Sequence, residues 1–349
     1  MNFASDNSWG AHPAVLAALA QVNDGAVMAY GADPVTARAE AMLREVLEAP
    51  RAVVRFVATG TAANALVCAQ LAPSFGRIYC HEDAHIETSE CGAPEFHAHG
   101  AKLVTVAGEG GKIAPDALAR AVAAGARAGL NGGRNALVSI TNATEWGRVY
   151  HPREVAALAQ VAHDAGLPLH MDGARFANAV AFAGCSAAEM TWRAGVDALC
   201  FGGTKNGAVA AEAVIFFDPA LAEDFDYRRK QAGQVWSKSR FLAAQMLALL
   251  TGGLWLDLAK QANAKAARLA EAVLEGGGTL LAPTESNAVF AAIPALTHER
   301  AQAAGILYHL WGDTPLTEGA PVPVRLVCSW DMPDRDVAVL EMLLRGGCA

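Results

Sequence analysis

The chain has 349 residues, a formal net charge of -8 and 53% hydrophobic residues. This length predicts a large core and two domains, and the composition excludes a disordered chain and argues against a nucleic-acid-binding one. No apolar run approaches the roughly 18 residues that span a bilayer, no signal peptide is recognisable, and the seven cysteines contain no C-x-x-C pair. We therefore expect a cytoplasmic protein with no membrane segment and no bound metal.

Short β-rich runs alternate with helical patterns along the first two thirds of the chain. Helices are predicted over 13–22, 34–48, 115–126, 152–165 and 187–194. Strands are predicted over 52–57, 77–80, 102–106, 136–140, 167–171, 198–201 and 213–217. This alternation predicts an α/β fold with a mostly parallel sheet that helices cover on both faces.

From residue 225 the pattern changes to longer helices and a second group of strands. Helices are predicted over 239–250, 255–274, 297–304 and 333–344, and strands over 279–282, 288–293 and 322–328. We interpret this part as a smaller α+β unit of ordinary domain size. The predicted division is a large domain over 1–250, with an N-terminal arm, and a small C-terminal domain over 251–349.

The first strand of the predicted sheet runs into Thr59-Gly-Thr-Ala-Ala-Asn64, a tight turn that opens an alanine-rich helix. Free backbone N–H groups at a helix N-terminus, beside small residues and a hydroxyl, favour a phosphate. The turn matches neither the ATP-binding loop nor the dinucleotide fingerprint. A plain helix cap formed by Thr59 or Thr61 would use the same residues.

Polar residues also follow the later strands, where ligands of open α/β sheets bind. His85 could stack on a flat ring or transfer a proton, and Glu90 could hold a water or a hydroxyl; a polar surface loop is the alternative. Asp172 ends an apolar strand and could pair with a protonated ring nitrogen, while Arg175 could bind a carboxylate through two hydrogen bonds. A helix-capping aspartate beside a salt-bridged arginine is the alternative there.

The apolar run over 198–201 breaks into Gly202-Gly-Thr-Lys-Asn-Gly207. A lysine delivered from a strand end into a glycine-rich turn can become a Schiff-base nucleophile, although a solvated loop lysine is the commoner case. Four such signals occur in order: a phosphate turn, a ring-stacking histidine, an aspartate for a ring nitrogen and Lys205 for an aldehyde. Together they match the polar points of pyridoxal phosphate.

These motifs resemble those of the low-specificity threonine aldolases, within the β-eliminating lyase group of fold-type I pyridoxal-phosphate enzymes. The form around Lys205, together with Thr144-Glu-Trp-Gly147, is similar to the bacterial branch that includes phenylserine aldolases. The resemblance covers nearly the whole chain and rests on Ser5-Asp-Asn7, Tyr30-Gly-Ala-Asp-Pro34, Thr59-Gly-Thr-Ala-Ala-Asn64, Ala84-His85, Asp172-Gly-Ala-Arg175, Thr204-Lys205 and Pro323-Val-Arg-Leu-Val327.

The resemblance implies pyridoxal 5'-phosphate as the cofactor and gives each matching residue a role. Lys205 would bind the cofactor covalently, Asp172 would keep its pyridine nitrogen protonated and His85 would stack on its ring. The phosphate would be bound by Gly60 and Thr61.

For the substrate, the resemblance implies that Ser5, Arg175 and Arg325 hold the carboxylate of an amino acid. In the family, groups from a neighbouring subunit complete the site. Tyr30, as a substrate-binding residue, and Arg229, as a cofactor-binding residue, match those groups. The resemblance therefore implies a homo-oligomer, a dimer or a tetramer, with shared active sites.

The implied activity is retro-aldol cleavage of β-hydroxy-α-amino acids, such as L-threonine, L-allo-threonine and phenylserine, to glycine and an aldehyde. His85 is the first candidate for the base that takes the β-hydroxyl proton, and Glu90 is the second. Many relatives carry a second histidine before the strand at 136, but the loop 129–134 has none. Relatives also often carry another arginine after the position of Arg229, where this chain offers Lys238.

Three alternatives stay open at this stage. A β-eliminating lyase or an aminotransferase acting on another amino acid would use the same cofactor motifs. A non-catalytic protein with this fold would have no use for Lys205, Asp172 and Arg175 together. A nicotinamide oxidoreductase would need a G-x-G-x-x-G turn after the first strand, which the chain lacks.

Overall fold

The computed structural model describes residues 1–312 and 319–347. Its strands are β1 (Val53–Val57), β2 (Gly76–His81), β3 (Lys102–Val106), β4 (Gly108–Glu109), β5 (Lys112–Ile113), β6 (Arg134–Thr141), β7 (Leu169–Gly173), β8 (Ala198–Gly202), β9 (Glu212–Phe216), β10 (Thr279–Leu280), β11 (Ala288–Ile293), β12 (His309–Leu310) and β13 (Val322–Val327).

Helices fill most of the intervals between these strands. They are α1 (Pro13–Gln21), α2 (Pro34–Val46), α3 (Gly60–Leu71), α4 (His85–Thr88), α5 (Ala93–His97), α6 (Pro115–Ala128), α7 (Pro152–Asp164), α8 (Phe176–Ala183), α9 (Ala187–Met190), α10 (Phe225–Gln231), α11 (Arg240–Leu250), α12 (Leu254–Glu275), α13 (Ala295–Ala303) and α14 (Asp334–Leu344).

Seven strands form the main sheet, in the order β1-β9-β8-β7-β6-β2-β3. The run from β8 through β7, β6 and β2 to β3 is parallel, whereas β9 pairs antiparallel with both β1 and β8. All residues of β7, β8 and β9 are buried, as expected for central strands covered on both faces. The predicted mostly parallel, helix-covered sheet is confirmed.

Two main hydrophobic cores lie in different parts of the molecule. The larger core packs α2, α7, α8 and α11 against one face of the main sheet, and α3 covers the other face with a separate cluster. The smaller core lies under a second sheet with the order β10-β11-β13-β12. The predicted boundary at residue 250 stays a prediction.

Helix α12 belongs to both cores. Its first turns bury Trp255 and Leu258 in the larger core, and its later turns bury Leu269 and Val273 in the smaller one. The N-terminal segment also joins the two parts, because Phe3 is buried in the smaller core and its carbonyl accepts from Val327 N at 2.8 Å.

One helical stretch, Arg240–Glu275, is long and apolar enough by length and composition to cross a membrane. Half of its most apolar window is buried inside the protein. Gly252, with a φ of 65°, interrupts the stretch between α11 and α12. The core helix of a folded domain passes the same test, so we assign this stretch to the packed interior.

The sequence-based elements differ from the observed ones mainly at their ends. The helix predicted over 187–194 is wrong in its second half, because α9 ends at Met190 and a 3-10 turn follows over Trp192–Ala194. Thr191, with ψ near -107°, breaks the helix between them. Helix α8 and the short strands β4, β5 and β12 were not predicted individually.

Candidate active site

The N-terminus of α3 presents the predicted phosphate turn. Thr59 caps the helix, since its hydroxyl accepts from Ala62 N at 3.2 Å. In the described part of the chain, no acceptor faces the amides of Gly60 and Thr61. A Cβ added to Gly60 would meet nothing within 4 Å, so the space in front of these amides is open. Two free N–H groups beside an open space fit a phosphate.

A continuous hydrogen-bonded chain joins Asp172 to His85. Asn64 lies on α3, and its Nδ2 donates to Asp172 Oδ2 and to Glu90 Oε1, both at 2.9 Å. His85 Nδ1 lies 2.8 Å from the same Glu90 oxygen. The other Asp172 oxygen accepts from Ala174 N at 2.9 Å, which fixes the carboxylate at the end of β7. These hydrogen bonds therefore fix Asp172 and His85 relative to one another.

The surroundings of this hydrogen-bonded network shift the pKa values of His85 and Glu90. The hydrogen bond to Glu90 raises the pKa of His85, against the lowering effect of burial. Burial raises the pKa of Glu90, against the lowering effect of its bonds to His85 and Asn64. Asn64 Oδ1 and Glu90 Oε2 are buried without a partner among the described residues. A polar ligand bound here could form the hydrogen bonds that these two oxygens lack.

Lys205 lies in a 3-10 turn, Thr204–Asn206, directly after β8. The turn is anchored from three sides. Asn206 Nδ2 donates to Trp255 O at 2.8 Å, Gly207 O accepts from His12 N at 2.8 Å, and Glu212 Oε1 accepts from Thr204 N at 3.4 Å. Because β8 is the neighbour of β7, this turn lies beside the end of the strand that carries Asp172.

Glu212 lies on β9, directly opposite Gly202 at the end of β8. It is 5% exposed. Burial raises the pKa of this carboxyl to about 7, although the hydrogen bond with Thr204 and the charge of Lys205 act to lower it. A buried carboxyl thus titrates near neutrality immediately behind the lysine turn.

Arg175 is held by Asp6, a residue of the N-terminal motif for which the sequence predicts no role. Its Nε and Nη2 donate to the two oxygens of Asp6 at 2.7 and 2.8 Å. Asn287 Nδ2 also donates to Asp6, at 3.0 Å. Burial raises the pKa of Asp6, but Arg175 outweighs burial and holds that pKa below its ordinary value. Ser5, by contrast, caps the short turn that follows it by accepting from Asn7 N at 3.1 Å.

Arg325 lies on β13 and brings the smaller sheet to the site. Its Nη2 donates to Ala4 O at 3.4 Å, and its guanidinium lies 5.7 Å from the centre of the Trp311 ring. Its Nε is buried without a partner among the described residues. Burial lowers the pKa of Arg325, and the nearby charge of Arg175 lowers it further. Two arginines therefore converge, with donors left for an anion.

Glu145 follows β6 and was not given a role from the sequence. Burial raises the pKa of its carboxyl, and the surrounding charges come from Arg175, Asp172, Lys205 and His85. The residue is therefore surrounded by the predicted site residues. The motif Thr144-Glu-Trp-Gly147 was the available signal, but nothing in it indicates which way the side chain points.

Tyr30 and Arg229 lie together in a different place. They line a cavity of about 650 Å³ with Arg55, Asp226 and Lys230, and this cavity includes none of the residues around Lys205. Tyr30 is 58% exposed, and the Lys230 ammonium lies 4.5 Å from the centre of its ring. The structure thus does not bring these two residues to Lys205 within one chain.

Arg229 itself is 8% exposed and partnered within its own chain. Its Nη1 donates to Asp226 at 2.6 Å and its Nη2 to Phe56 O at 2.9 Å. Lys238, the other cation named from the sequence, is exposed on the loop whose Ser237 carbonyl accepts from Tyr30 N at 3.0 Å.

No group of three or more His, Cys, Asp or Glu side chains within residues 1–312 and 319–347 is arranged to hold a metal ion. The donors gathered at the strand ends are instead a lysine, two arginines, a helix N-terminus and hydrogen-bonded carboxylates. This set suits an organic anion with a phosphate and a ring nitrogen.

Comparison with known proteins gives consistent similarities. Residues 2–295 match the family model for beta-eliminating lyases. The low specificity L-threonine aldolase of Pseudomonas aeruginosa is 46% identical over 94% of this chain and 92% of its own length. The Leishmania major threonine aldolase structure matches with a TM-score of 0.92 at 27% identity, over 99% of this chain and 98% of that one.

A more distant structure shares the fold alone. The Oryza sativa protein TDC, solved with PLP and tryptamine, has a TM-score of 0.74 at 15% identity, over 99% of this chain and 82% of that one. The predicted fold-type I architecture is confirmed by these likenesses.

Proposed function

The chain belongs to the beta-eliminating lyase family, among the low-specificity L-threonine aldolases, and from this premise we propose that it cleaves β-hydroxy-α-amino acids to glycine and an aldehyde. L-Threonine and L-allo-threonine are the proposed substrates, together with related compounds such as phenylserine. The observation that carries the proposal is the placement of Lys205 beside Asp172 at neighbouring strand ends, with Arg175 and Arg325 interacting nearby.

Pyridoxal phosphate is the cofactor, and the residues present fit it. The free amides of Gly60 and Thr61 would hold its phosphate, Asp172 its ring nitrogen and Lys205 its aldehyde carbon. Once bound, it withdraws the electron pair of a bond at the substrate Cα into its ring. The TDC neighbour, which was solved with PLP, supports the same cofactor for this fold.

Arg175 and Arg325 would bind the substrate carboxylate and so orient the bonds at Cα. Asp6 holds the Arg175 guanidinium in one orientation, and Asn287 holds Asp6. A fixed carboxylate limits rotation of the substrate, so this pair of arginines would determine which bond at Cα is presented for cleavage. The proposed reaction requires that this bond is Cα–Cβ. His85, whose Nδ1 is held by Glu90, would present its other ring nitrogen to the cofactor or the substrate.

A second subunit is part of the proposal. The exposed Tyr30 lies in its own cavity with Arg229, away from Lys205, which is the arrangement expected if these residues complete the site of a neighbouring copy. We propose a homodimer or a homotetramer with shared active sites, located in the cytoplasm.

The deciding experiment supplies L-threonine, L-allo-threonine and L-phenylserine separately to purified, cofactor-loaded protein. We expect glycine and the matching aldehyde in equal amounts from at least one of them, and the ranking gives the preferred side chain. No glycine from any of the three would contradict the proposal. Pyruvate with ammonia, or an exchanged keto acid, would instead identify a β-eliminating lyase or an aminotransferase.

A further inference from the structure

The turn that carries Glu145 is fixed at the edge of the site. It follows β6, whose neighbour β7 carries Asp172, and Asn142 N donates to Asp172 O at 2.9 Å. Thr144 N donates to Arg148 O and Gly147 N to Thr144 O, both at 2.8 Å. The next side chain, Trp146, donates to Asp83 at 2.8 Å. The backbone of Glu145 is therefore fixed three residues after Asn142, which bonds to the backbone of Asp172.

Charged groups from several elements around the site interact electrostatically with the Glu145 carboxyl. These are Asp172 at the end of β7, Arg175 at the start of α8, Lys205 after β8, His85 at the start of α4 and Arg325 on β13. Glu145 thus lies among the residues that would hold the cofactor and the substrate carboxylate.

Glu145 also differs from the other carboxylates in its hydrogen bonding. Asp172 accepts on both oxygens, Asp6 is engaged by Arg175, and Glu90 Oε1 is shared by Asn64 and the His85 ring. No residue in the described ranges donates a hydrogen bond to the side chain of Glu145. Its oxygens are consequently available to a substrate.

The protonation behaviour of Glu145 suits proton transfer. Burial raises the pKa of its carboxyl above the ordinary value, and Arg175 and Lys205 only partly oppose this effect. A general base works best when its pKa lies near the working pH. His85 keeps one ring nitrogen for the cofactor or the substrate, because its Nδ1 is bonded to Glu90.

We propose that Glu145 is the base that takes the proton of the substrate β-hydroxyl. The O–H bond breaks, its electron pair becomes the second bond of the aldehyde carbonyl, and the Cα–Cβ bond breaks with its pair remaining on the Cα side. Glu145 then gives this proton up, directly or by exchange with solvent, while one proton is added to Cα to complete glycine. Glu145 returns to its carboxylate form, so the reaction neither consumes nor releases protons overall. This assignment rests on the proposed aldolase function.

The test compares two reactions in the variant Glu145→Gln, which keeps the size of the side chain but cannot take a proton. Cleavage of L-threonine should fall roughly 100- to 10,000-fold, the usual contribution of a general base. Exchange of the glycine α-hydrogen in heavy water involves no β-hydroxyl, so it should stay within about threefold. The cofactor absorption band and the glycine dissociation constant from spectral titration should not change. Glu109→Gln, an exposed residue on β4, is the matched control.

Two outcomes would overturn the assignment. One is cleavage by Glu145→Gln within about threefold of the wild type, and the other is an equal loss of cleavage and glycine exchange. If the Gln variant does not fold, Glu145→Ala should regain cleavage on addition of formate, and the absence of any rescue in a cofactor-loaded protein would contradict the proposal. A wild type that releases no glycine would instead contradict the aldolase function itself.

Discussion

Two regions shift the pKa values of their carboxyls in opposite directions. One is the Lys205 centre, which comprises Lys205, Asp172, Arg175 and the carboxyls around them, and the other is the Tyr30–Arg229 cavity. Around Lys205, burial raises the pKa of Glu90, Glu145 and Glu212, because few partners compensate for lost water. In the cavity, burial likewise raises the pKa of Asp226, yet Arg55 and Arg229 outweigh it and lower that pKa below its ordinary value.

In the centre these three carboxyls keep raised pKa values, whereas in the cavity the carboxylate of Asp226 is paired with two arginines. One buried donor of the cavity, Arg229 Nε, has no partner among the described residues. Buried groups with raised pKa values and unpartnered atoms are characteristic of sites that wait for a ligand. Paired charges at an exposed cavity suit contact with another protein surface. We therefore expect the reaction to take place in the Lys205 centre, and we expect the cavity to position Tyr30 at a contact with another subunit.

The largest effect is expected from Lys205→Ala. The variant should lose at least about 10,000-fold in kcat, because the nucleophile that binds the cofactor is removed. The absorption band of the covalently bound cofactor should disappear as well. Lys260→Ala, an exposed lysine on α12, should behave as the wild type. Turnover by Lys205→Ala near the wild-type rate would show that the reaction does not take place at Lys205.

The raised pKa of Glu212 predicts a specific dependence of stability on pH. Its pKa is 4.5 in the unfolded chain and about 7 in the folded one, so the folded state holds the proton more tightly. The resulting stability is present below pH 4.5 and is lost as the pH rises through 7, a difference of about 3 kcal/mol.

Glu212→Gln cannot lose a proton, so its free energy of unfolding should decline less between pH 5 and pH 8. Urea unfolding at both values, compared with the wild type and with Glu109→Gln, measures this difference. If the free energy of unfolding of Glu212→Gln declined as much as that of the wild type, Glu212 would not be the source of the pH dependence.

A mixing experiment tests whether the two regions meet across subunits. Tyr30→Ala should lower kcat/KM about 100-fold by itself. Hybrids of Tyr30→Ala with Lys205→Ala, formed by joint refolding, should regain about a quarter of wild-type activity, because half of the random dimers contain one intact shared site.

The matched control combines Lys205→Ala with His85→Ala. Both residues lie in the same region of one chain, so every site in the hybrids carries a defect and no activity should return. Recovery in the control but not in the Tyr30 hybrid would contradict shared active sites.

The smallest effect concerns the Asp6–Arg175 pair. Asp6→Asn leaves Arg175 without its charged partner, and we expect KM for L-threonine to rise about tenfold with kcat changed less than about threefold. Glu48→Gln removes one partner of the exposed pair with Arg193 and should change neither constant. A fall in kcat with an unchanged KM would place Asp6 in the chemistry rather than in binding.

Much of the centre could be predicted from the sequence because each residue follows a strand of a parallel sheet. Lys205, Asp172 and the α3 turn are local features of strand, turn and helix, and neighbouring strands bring them together. The sequence predicts no role for Asp6 or Asn64, because their partners Arg175 and Asp172 lie 169 and 108 positions away. The direction of a side chain such as Glu145 depends on turn geometry that composition and spacing do not encode.

The packing of α12 in both cores has a consequence for how the protein melts. Unfolding of either core would expose one half of α12 to solvent. Because the two halves belong to one helix, the loss of packing in one core destabilises the other core as well. Calorimetry should therefore record one transition, with a van 't Hoff enthalpy equal to the total heat absorbed. For the same reason, a gene cut at residue 250 would separate Phe176 and Phe201 from Trp255, whose ring packs against both, and would yield two fragments that aggregate.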